Sequence, residues 1–298
     1  ATKAAAESIL PLNIDLALIA NNHVFDNQLK GFNNTIDFFN NNNISYIGAT
    51  IEKVDFNKPH ILSKNGIKIG FINNVGLETN PNLPKDCPVL LNVINEEVLL
   101  SQTSILKNDV DHVVVNLHWG DTEYVRTPNV KQRSLARKLI DNGASAVVGH
   151  HVHCLQGYEE YNDGLICYSL GNFLFSPQLV VPGKIDSYRM TDNNMAALLK
   201  ISFTKTNFTY DWKYLIKEKN DMYLKSDDGR AKKMHLKTNK YLSYSDSNLN
   251  RKYKLEILIS PIRNFIDKNG GIIKAVFSVK VKQLYILKKI LFNKWESI

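Results

Sequence analysis

Through the first two thirds of the chain, short apolar runs alternate with stretches whose apolar residues recur every three or four positions, the pattern of a sheet with helical crossovers. Residues 13–20 predict a buried strand, after which Leu29, Phe32, Ile36 and Phe39 share one helical face. Asp26 is placed to cap that helix and the asparagine run 40–43 to end it. Residues 45–48 read as the next strand. Residues 61–62 pair with 68–72 across Lys64-Asn65-Gly66, because Asn-Gly suits a tight hairpin turn. A helix over 92–107 leads into a strand over 112–116. The clearest helix follows, with Thr127 as cap, Pro128 in the first turn, Leu135 and Leu139 as buried stripe and Gly143 at its close. A strand over 146–149, a hairpin of 157–161 with 165–169 across Asn162-Asp163-Gly164, and an antiparallel pair of 195–203 with 208–216 complete the pattern.

Beyond Lys217 the sequence turns polar and rich in Lys and Ser: 220–233 reads as loop, 257–267 as helix and 281–292 as a basic amphipathic helix. The boundary is drawn near Glu218, giving an α/β domain over 1–217 and a basic, partly helical extension over 218–298. Charge sharpens the division. Residues 1–204 carry 16 Lys+Arg against 20 Asp+Glu and residues 205–298 carry 21 against 9, so the net +8 belongs to the tail. A patch of that sign attracts acidic or phosphate-rich polymers or an anionic membrane surface, and lysines that merely solvate surface helices give the same count. No aromatic-interleaved motif accompanies it, so no specific nucleic-acid partner is expected. No apolar run approaches the ~20 residues of a membrane span, which leaves a cytoplasmic location or one peripheral to the envelope open. Cys87, Cys154 and Cys167 sit at spacings that match no zinc or disulfide framework and read as reduced packing residues.

Candidate chemistry gathers in three places, each just after a predicted strand, where open α/β sheets assemble their ligand sites. They are Asn21-Asn22-His23 with Asp26, His118-Trp119-Gly120, and His150-His151-Val152-His153. Neutral imidazole is the commonest nitrogen ligand of divalent metals, and an amide oxygen can add a donor. In an extended segment His151 and His153 would point to one side and His150 away. One histidine after a strand is an ordinary polar residue; three clusters converging at one sheet edge point to a metal site.

Four ordered motifs resemble the CapA-type capsule-synthesis proteins of the calcineurin-like metallophosphatase superfamily: ANNHVFD at 20–26, NLHWG at 116–120, GHHVH at 149–153 and YSLGNF at 168–173. Val152 stands where that family usually has proline. The resemblance, over about residues 5–203, implies a metallophosphatase-like sheet sandwich flanked by helices. It further implies metal ligation by Asn22, His118, His151 and His153, with His23 donating a hydrogen bond or proton to the reacting phosphate and Asp26 orienting His23 or capping the helix. His150, Trp119 and Asn172 are expected around the pocket, Asn172 reading equally well as a turn cap. Two divalent metals, Mn, Fe or Zn, are implied, with hydrolysis or transfer at a phosphoester of a phosphorylated or acidic polymer and association with a capsule-synthesis membrane complex. A non-catalytic accessory protein binding an acidic capsule polymer or a polymer-synthesis partner is the alternative. The family's opening Gly-Asp strand and second acidic motif have no counterpart before Asn22, so upstream residues are expected to complete the sheet and the site.

Overall fold

The computed structural model describes residues 6–81, 83–173, 179–181, 184–185, 195–216, 225–227 and 229–268. The chain runs β1 (Leu16–Leu18), α1 (Gln28–Asn41), β2 (Ser45–Ile47), β3 (Ala49–Thr50), β4 (His60–Lys64), β5 (Ile67–Val75), β6 (Leu90–Leu91), α2 (Glu96–Lys107), β7 (His112–His118), α3 (Val130–Asp141) and β8 (Ala146–His150). It continues through β9 (Tyr158–Tyr161), β10 (Gly164–Cys167), β11 (Leu179–Val181), β12 (Lys184–Ile185), β13 (Met195–Phe203), β14 (Phe208–Ile216), β15 (Lys225–Ser226), α4 (Arg230–Asn239) and α5 (Asp246–Lys268).

The run VVVNL is apolar at nearly every position because β7 is covered on both faces, as central parallel strands are. Val113, Val115 and Leu117 meet Val147, Ile166, Leu99, Leu106, Leu135 and Leu139 on the side of α2 and α3. Val114, Ala146, Val148, Leu165 and Cys167 turn to the other side and pack on Leu199, Ile201, Phe203, Phe208, Tyr210 and Trp212 of the β13–β14 ribbon. The fold is therefore an α/β sandwich: a helical layer, a central sheet and a second, smaller sheet. The central sheet has the order β4-β5-β7-β8-β10-β9, with β5, β7, β8 and β10 parallel and antiparallel edges. Its parallel strands release their chains at one edge, where the site lies.

The Asn65-Gly66 turn forms as expected, with φ of 53° and 77° and Lys64 opposite Ile67. The β13–β14 pairing also follows the expected ranges, from Met195 opposite Ile216 to Phe203 opposite Phe208. A second apolar core, with Ile19, Phe32, Phe39, Ile44 and Val89, holds α1 against β1 and β2. It joins the central sheet through buried hydrogen bonds, among them Ala20 N to Asn73 Oδ1 at 2.8 Å and Val75 N to Asn92 O at 2.8 Å.

Four local expectations need correction. The strand expected over 13–20 is only Leu16–Leu18, because Asn13, at φ 51°, ends a preceding 3-10 turn. α1 starts at Gln28, with Asn27 at its cap position, so Asp26 lies too early to cap it. α3 starts at Val130: Asn129 and Gln132 form a reciprocal capping box, a stronger start than Thr127 with Pro128. Residues 230–233, expected as loop, begin α4, because Ala231 and His235 bury their side chains completely. The basic helix expected over 281–292 lies outside the described residues.

The C-terminal helices pack on the body of the fold. His235 of α4 is fully buried between Tyr158 and Trp212, each ring centroid 4.8 Å away, and its Nδ1 lies 3.1 Å from Tyr214 Oη. Arg133 of α3 donates to the carbonyls of Leu242 (2.9 Å) and Tyr244 (2.6 Å) and pairs with Asp246. On α5, Tyr253 Oη donates to Asp121, and Glu256 Oε2 accepts from Arg126 N at 2.9 Å. Cys87, Cys154 and Cys167 are free thiols, the last two buried. No helix among the described residues is long and apolar enough to cross a membrane.

Candidate functional site

The ends of β7 and β8 place His118 beside His150, and the β5 end brings Val75 alongside His118. Asn22, on the loop after β1, reaches this edge: its Oδ1 lies 2.8 Å from His118 Nε2, a contact spanning 96 positions. The His118 ring packs edge-on to His151 at 4.9 Å, and His151 lies 6.4 Å from His153. His153 Nδ1 is 2.8 Å from Asn172 Oδ1. The structure thus brings together Asn22, His118, His151, His153 and Asn172, which belong to four separate motifs.

The way His151 and His153 meet differs from the expected extended segment. The strand stops at His150, and His151 adopts φ 91°, a left-handed conformation rare for a residue with a Cβ. The turn is held by His153 N donating to His151 O at 2.8 Å. Backbone strain of this kind concentrates at functional sites. Gly149 allows the close passage before it, since a Cβ there would lie 2.0 Å from Tyr168 O.

His23 stands at the rim. Its Nδ1 is 2.7 Å from Asp26 Oδ2, and both side chains are about half exposed. Asp26 therefore orients His23, and the Asn21 side chain fixes the turn by accepting from His23 N at 2.8 Å. Trp119, expected at the pocket, is instead a core residue, 2% exposed, with Nε1 donating to Tyr168 O at 3.2 Å. The indole points inward because it is the next residue along from His118 and turns to the helical side of the sheet.

Burial, reinforced by neighbouring imidazoles, pushes the His118 pKa down to about 2. Burial lowers His150 to about 4. His151 is also lowered by burial, opposed by the negative charges of Glu123 and Glu78. The rings are thus held in the neutral state that coordinates a metal.

Three residues escaped the sequence reading. Glu78 sits in the 3-10 turn Leu77–Thr79 directly after β5 and accepts a hydrogen bond from Gly120 N at 3.0 Å. Its position after a strand is the signal that singled out the histidines. Glu123 and Tyr124 lie in the loop after Gly120; the Tyr124 ring stacks on His153 at 5.7 Å, from a backbone at φ 65°. Nothing in the order Asp-Thr-Glu-Tyr announces that stacking.

Among the described residues no three His, Cys, Asp or Glu side chains are arranged to hold a metal ion as they stand. The donor chemistry nevertheless suits one. His118 Nε2 and Asn22 Oδ1 already meet, the oxygen accepting at 2.8 Å, the His151 ring beside them is held toward the neutral form by burial, and the His153 ring follows at 6.4 Å from His151.

Residues 1–177 match the family described as bacterial capsule synthesis protein PGA_cap. The capsule biosynthesis protein CapA of Bacillus anthracis is 35% identical over 189 residues, which make up 60% of this chain and 45% of that protein. The PGA biosynthesis protein CapA of Bacillus subtilis (strain 168) is 36% identical over 179 residues, 58% of this chain and 46% of that one. The match thus spans less than half the length of either relative. Among solved structures, a Staphylococcus aureus protein assigned as a 5'-nucleotidase, crystallised with alpha-ketoglutarate, superimposes with a TM-score of 0.50. It is 13% identical and covers 81% of this chain and 45% of that chain, a likeness of fold alone.

Proposed function

Because this chain belongs to the bacterial capsule synthesis protein family PGA_cap, we propose that its imidazole–amide cluster is a divalent-metal site serving phosphoester hydrolysis or transfer in the making of a capsule or exopolymer. The observation that carries this reading is the 2.8 Å approach of Asn22 Oδ1 to His118 Nε2 beside the His151 ring. The contact spans 96 positions, so it is made by the fold of the whole edge and not by local sequence.

Asn22, His118, His151 and His153 would hold the metal. When bound, divalent metal polarises a phosphoryl oxygen and makes a water nucleophilic near neutral pH. Asn172, on His153 Nδ1, fixes the tautomer that turns Nε2 to a ligand role. Asp26 holds the His23 ring in one orientation at the rim, where a phosphate oxygen would accept its proton or hydrogen bond. The substrate that suits this chemistry is a phosphorylated intermediate of an acidic polymer, delivered at a capsule-synthesis membrane complex.

A second reading, a non-catalytic accessory protein that grips an acidic polymer, draws on one observation. The exposed side of α4 carries Arg230, Lys232, Lys233 and Lys237, with Lys240 following, and α4 contains no acidic residue. Two measurements separate the readings. Metal content after equilibration with Mn²⁺ or Zn²⁺ should be lost in His118→Ala, and hydrolysis of bis(p-nitrophenyl) phosphate should require the loaded wild-type protein. Stoichiometric metal without turnover on phosphodiesters or phosphomonoesters would favour the accessory role, and a folded wild-type protein that takes up no metal would refute the site.

A further inference from the structure

The loop that follows β7 is fastened at both ends by a helix from far along the chain. On α5, Leu249, Tyr253, Glu256 and Ser260 recur every three or four positions and are all buried, so one helical face packs on the body of the fold. From that face Tyr253 Oη donates to Asp121 Oδ1 and lies 3.3 Å from Thr122 Oγ1. Glu256 Oε2 accepts from Arg126 N at 2.9 Å, while Lys252 Nζ holds Oε1 at 3.0 Å. Gln156 Nε2 adds a bond to Val125 O at 2.8 Å. Between these holds stands Tyr124, at φ 65° and with its ring stacked on His153. A bulky residue rarely takes that backbone conformation, and it persists where the surroundings over-determine it. Freed from its holds, the loop would relax toward an ordinary φ and carry the Tyr124 ring off His153.

Resting on the site reading given above, we propose that Tyr253 and Glu256 are positioning residues of the imidazole cluster, which act through Tyr124 by keeping its ring against His153. Tyr253 lies 132 positions from Asp121 and Glu256 lies 130 from Arg126, both in the basic extension. That part of the chain is therefore integral to the site, because α5 sets the wall beside His153. A contact that served packing alone would lower the stability of α5 without altering the surroundings of His153, and this difference can be measured.

Two rates measured on the full, metal-free chain report the two ends of this linkage. One is amide hydrogen exchange in peptides spanning 120–127; the other is carbethoxylation of His153 by diethyl pyrocarbonate, mapped by mass spectrometry. Tyr253→Phe and Glu256→Ala each remove a hydrogen bond that closes the loop, so both rates should rise about fivefold. Glu256→Gln keeps an oxygen for the Arg126 amide and should return both rates toward wild type. Lys254→Ala, at an exposed position of the same helix, should leave both unchanged. In Tyr124→Ala the His153 ring is uncovered from the start, and adding Tyr253→Phe should speed its labelling no further, since the two side chains act as one unit. Should Glu256→Ala fail to fold, Tyr253→Phe, which loses only a hydroxyl, carries the test. Faster exchange in the loop with wild-type labelling of His153 overturns the assignment, as does a further rise in the double variant. Zn²⁺ uptake is measured separately: a folded wild-type chain that takes up none refutes the metal reading, while the His153 rates decide the positioning role on their own.

Discussion

Acidification should loosen the attachment of α4, and His235 is the group responsible. Its imidazole is fully buried in a box of Tyr158, Trp212 and Tyr214, and burial lowers its pKa to about 4. In the unfolded chain the value is about 6.5. The folded pKa is depressed, so between the two values the unfolded chain binds a proton that the folded one refuses. Stability is therefore full above about pH 6.5 and falls as pH drops toward 4. At pH 5 the deficit relative to pH 7.5 is about 2 kcal/mol from this residue, worth roughly 4 °C in Tm for a chain of this size. The partly exposed His118 and His150, whose pKa values desolvation also lowers, add acid sensitivity of the same sign. They are held constant by comparing the wild type with His235→Phe, which keeps the ring contacts and removes the proton. The variant loses the Tyr214 hydrogen bond, about 1 kcal/mol at every pH. What identifies His235 is the change in slope: in thermal melts followed by near-ultraviolet circular dichroism at pH 7.5, 6 and 5 the wild type should start about 1 kcal/mol above the variant, meet it near pH 6 and fall about 1 kcal/mol below it at pH 5. Parallel slopes in the two proteins would refute the reasoning.

Three further outcomes are expected. His23→Ala should lower phosphodiester turnover about 100-fold with metal content unchanged, since His23 lies at the rim on Asp26 and outside the donor set; equal metal loss in His23→Ala and His118→Ala would place it among the ligands. Arg133→Met should lower stability by about 3 kcal/mol in denaturant titration, because two carbonyls lose their donor, whereas Asp246→Asn, on a side chain 74% exposed, should cost under about 1 kcal/mol. Gly149→Ala should destabilise by about 3 kcal/mol in the same assay, its methyl meeting backbone at Tyr168 that cannot step aside; a wild-type midpoint would show that the strand has room.

The sequence was most informative where local chemistry and tertiary packing agree. The Asn65-Gly66 turn and the β13–β14 register needed only turn propensity and alternation. The convergence of Asn22, His118, His151 and His153 was legible because each cluster directly follows a strand, His118 and the His151–His153 turn in the central sheet and Asn22 in the small β1–β2 sheet beside it. Helix starts were less so: Thr127 with Pro128 and Asn129 with Gln132 are both good starts, and only the reciprocal capping bonds decide. α4 was unreadable, since its polar sequence becomes helical through two anchors, Ala231 and His235, whose partners lie in distant strands. Glu78 and Tyr124 escaped because a carboxylate on the Gly120 amide and a ring stacked on His153 depend on close approach, which sequence spacing does not encode.

The joint between the two apolar cores carries a mechanical consequence. One core holds β1 and α1, the other the central sheet, and Asn22 and His118 stand on opposite sides of the seam between them. An ion gripped by both residues would act as a rivet. Because the two ligands meet only after a loop of 96 positions has closed, the unfolded chain could not hold that ion in the same way. Saturating metal at about 100 times its dissociation constant would then tighten the seam by about 2.7 kcal/mol, and chelation would release it. The N-terminal module would accordingly open before the central sheet melts, giving proteases their first access in the loop around Asn22.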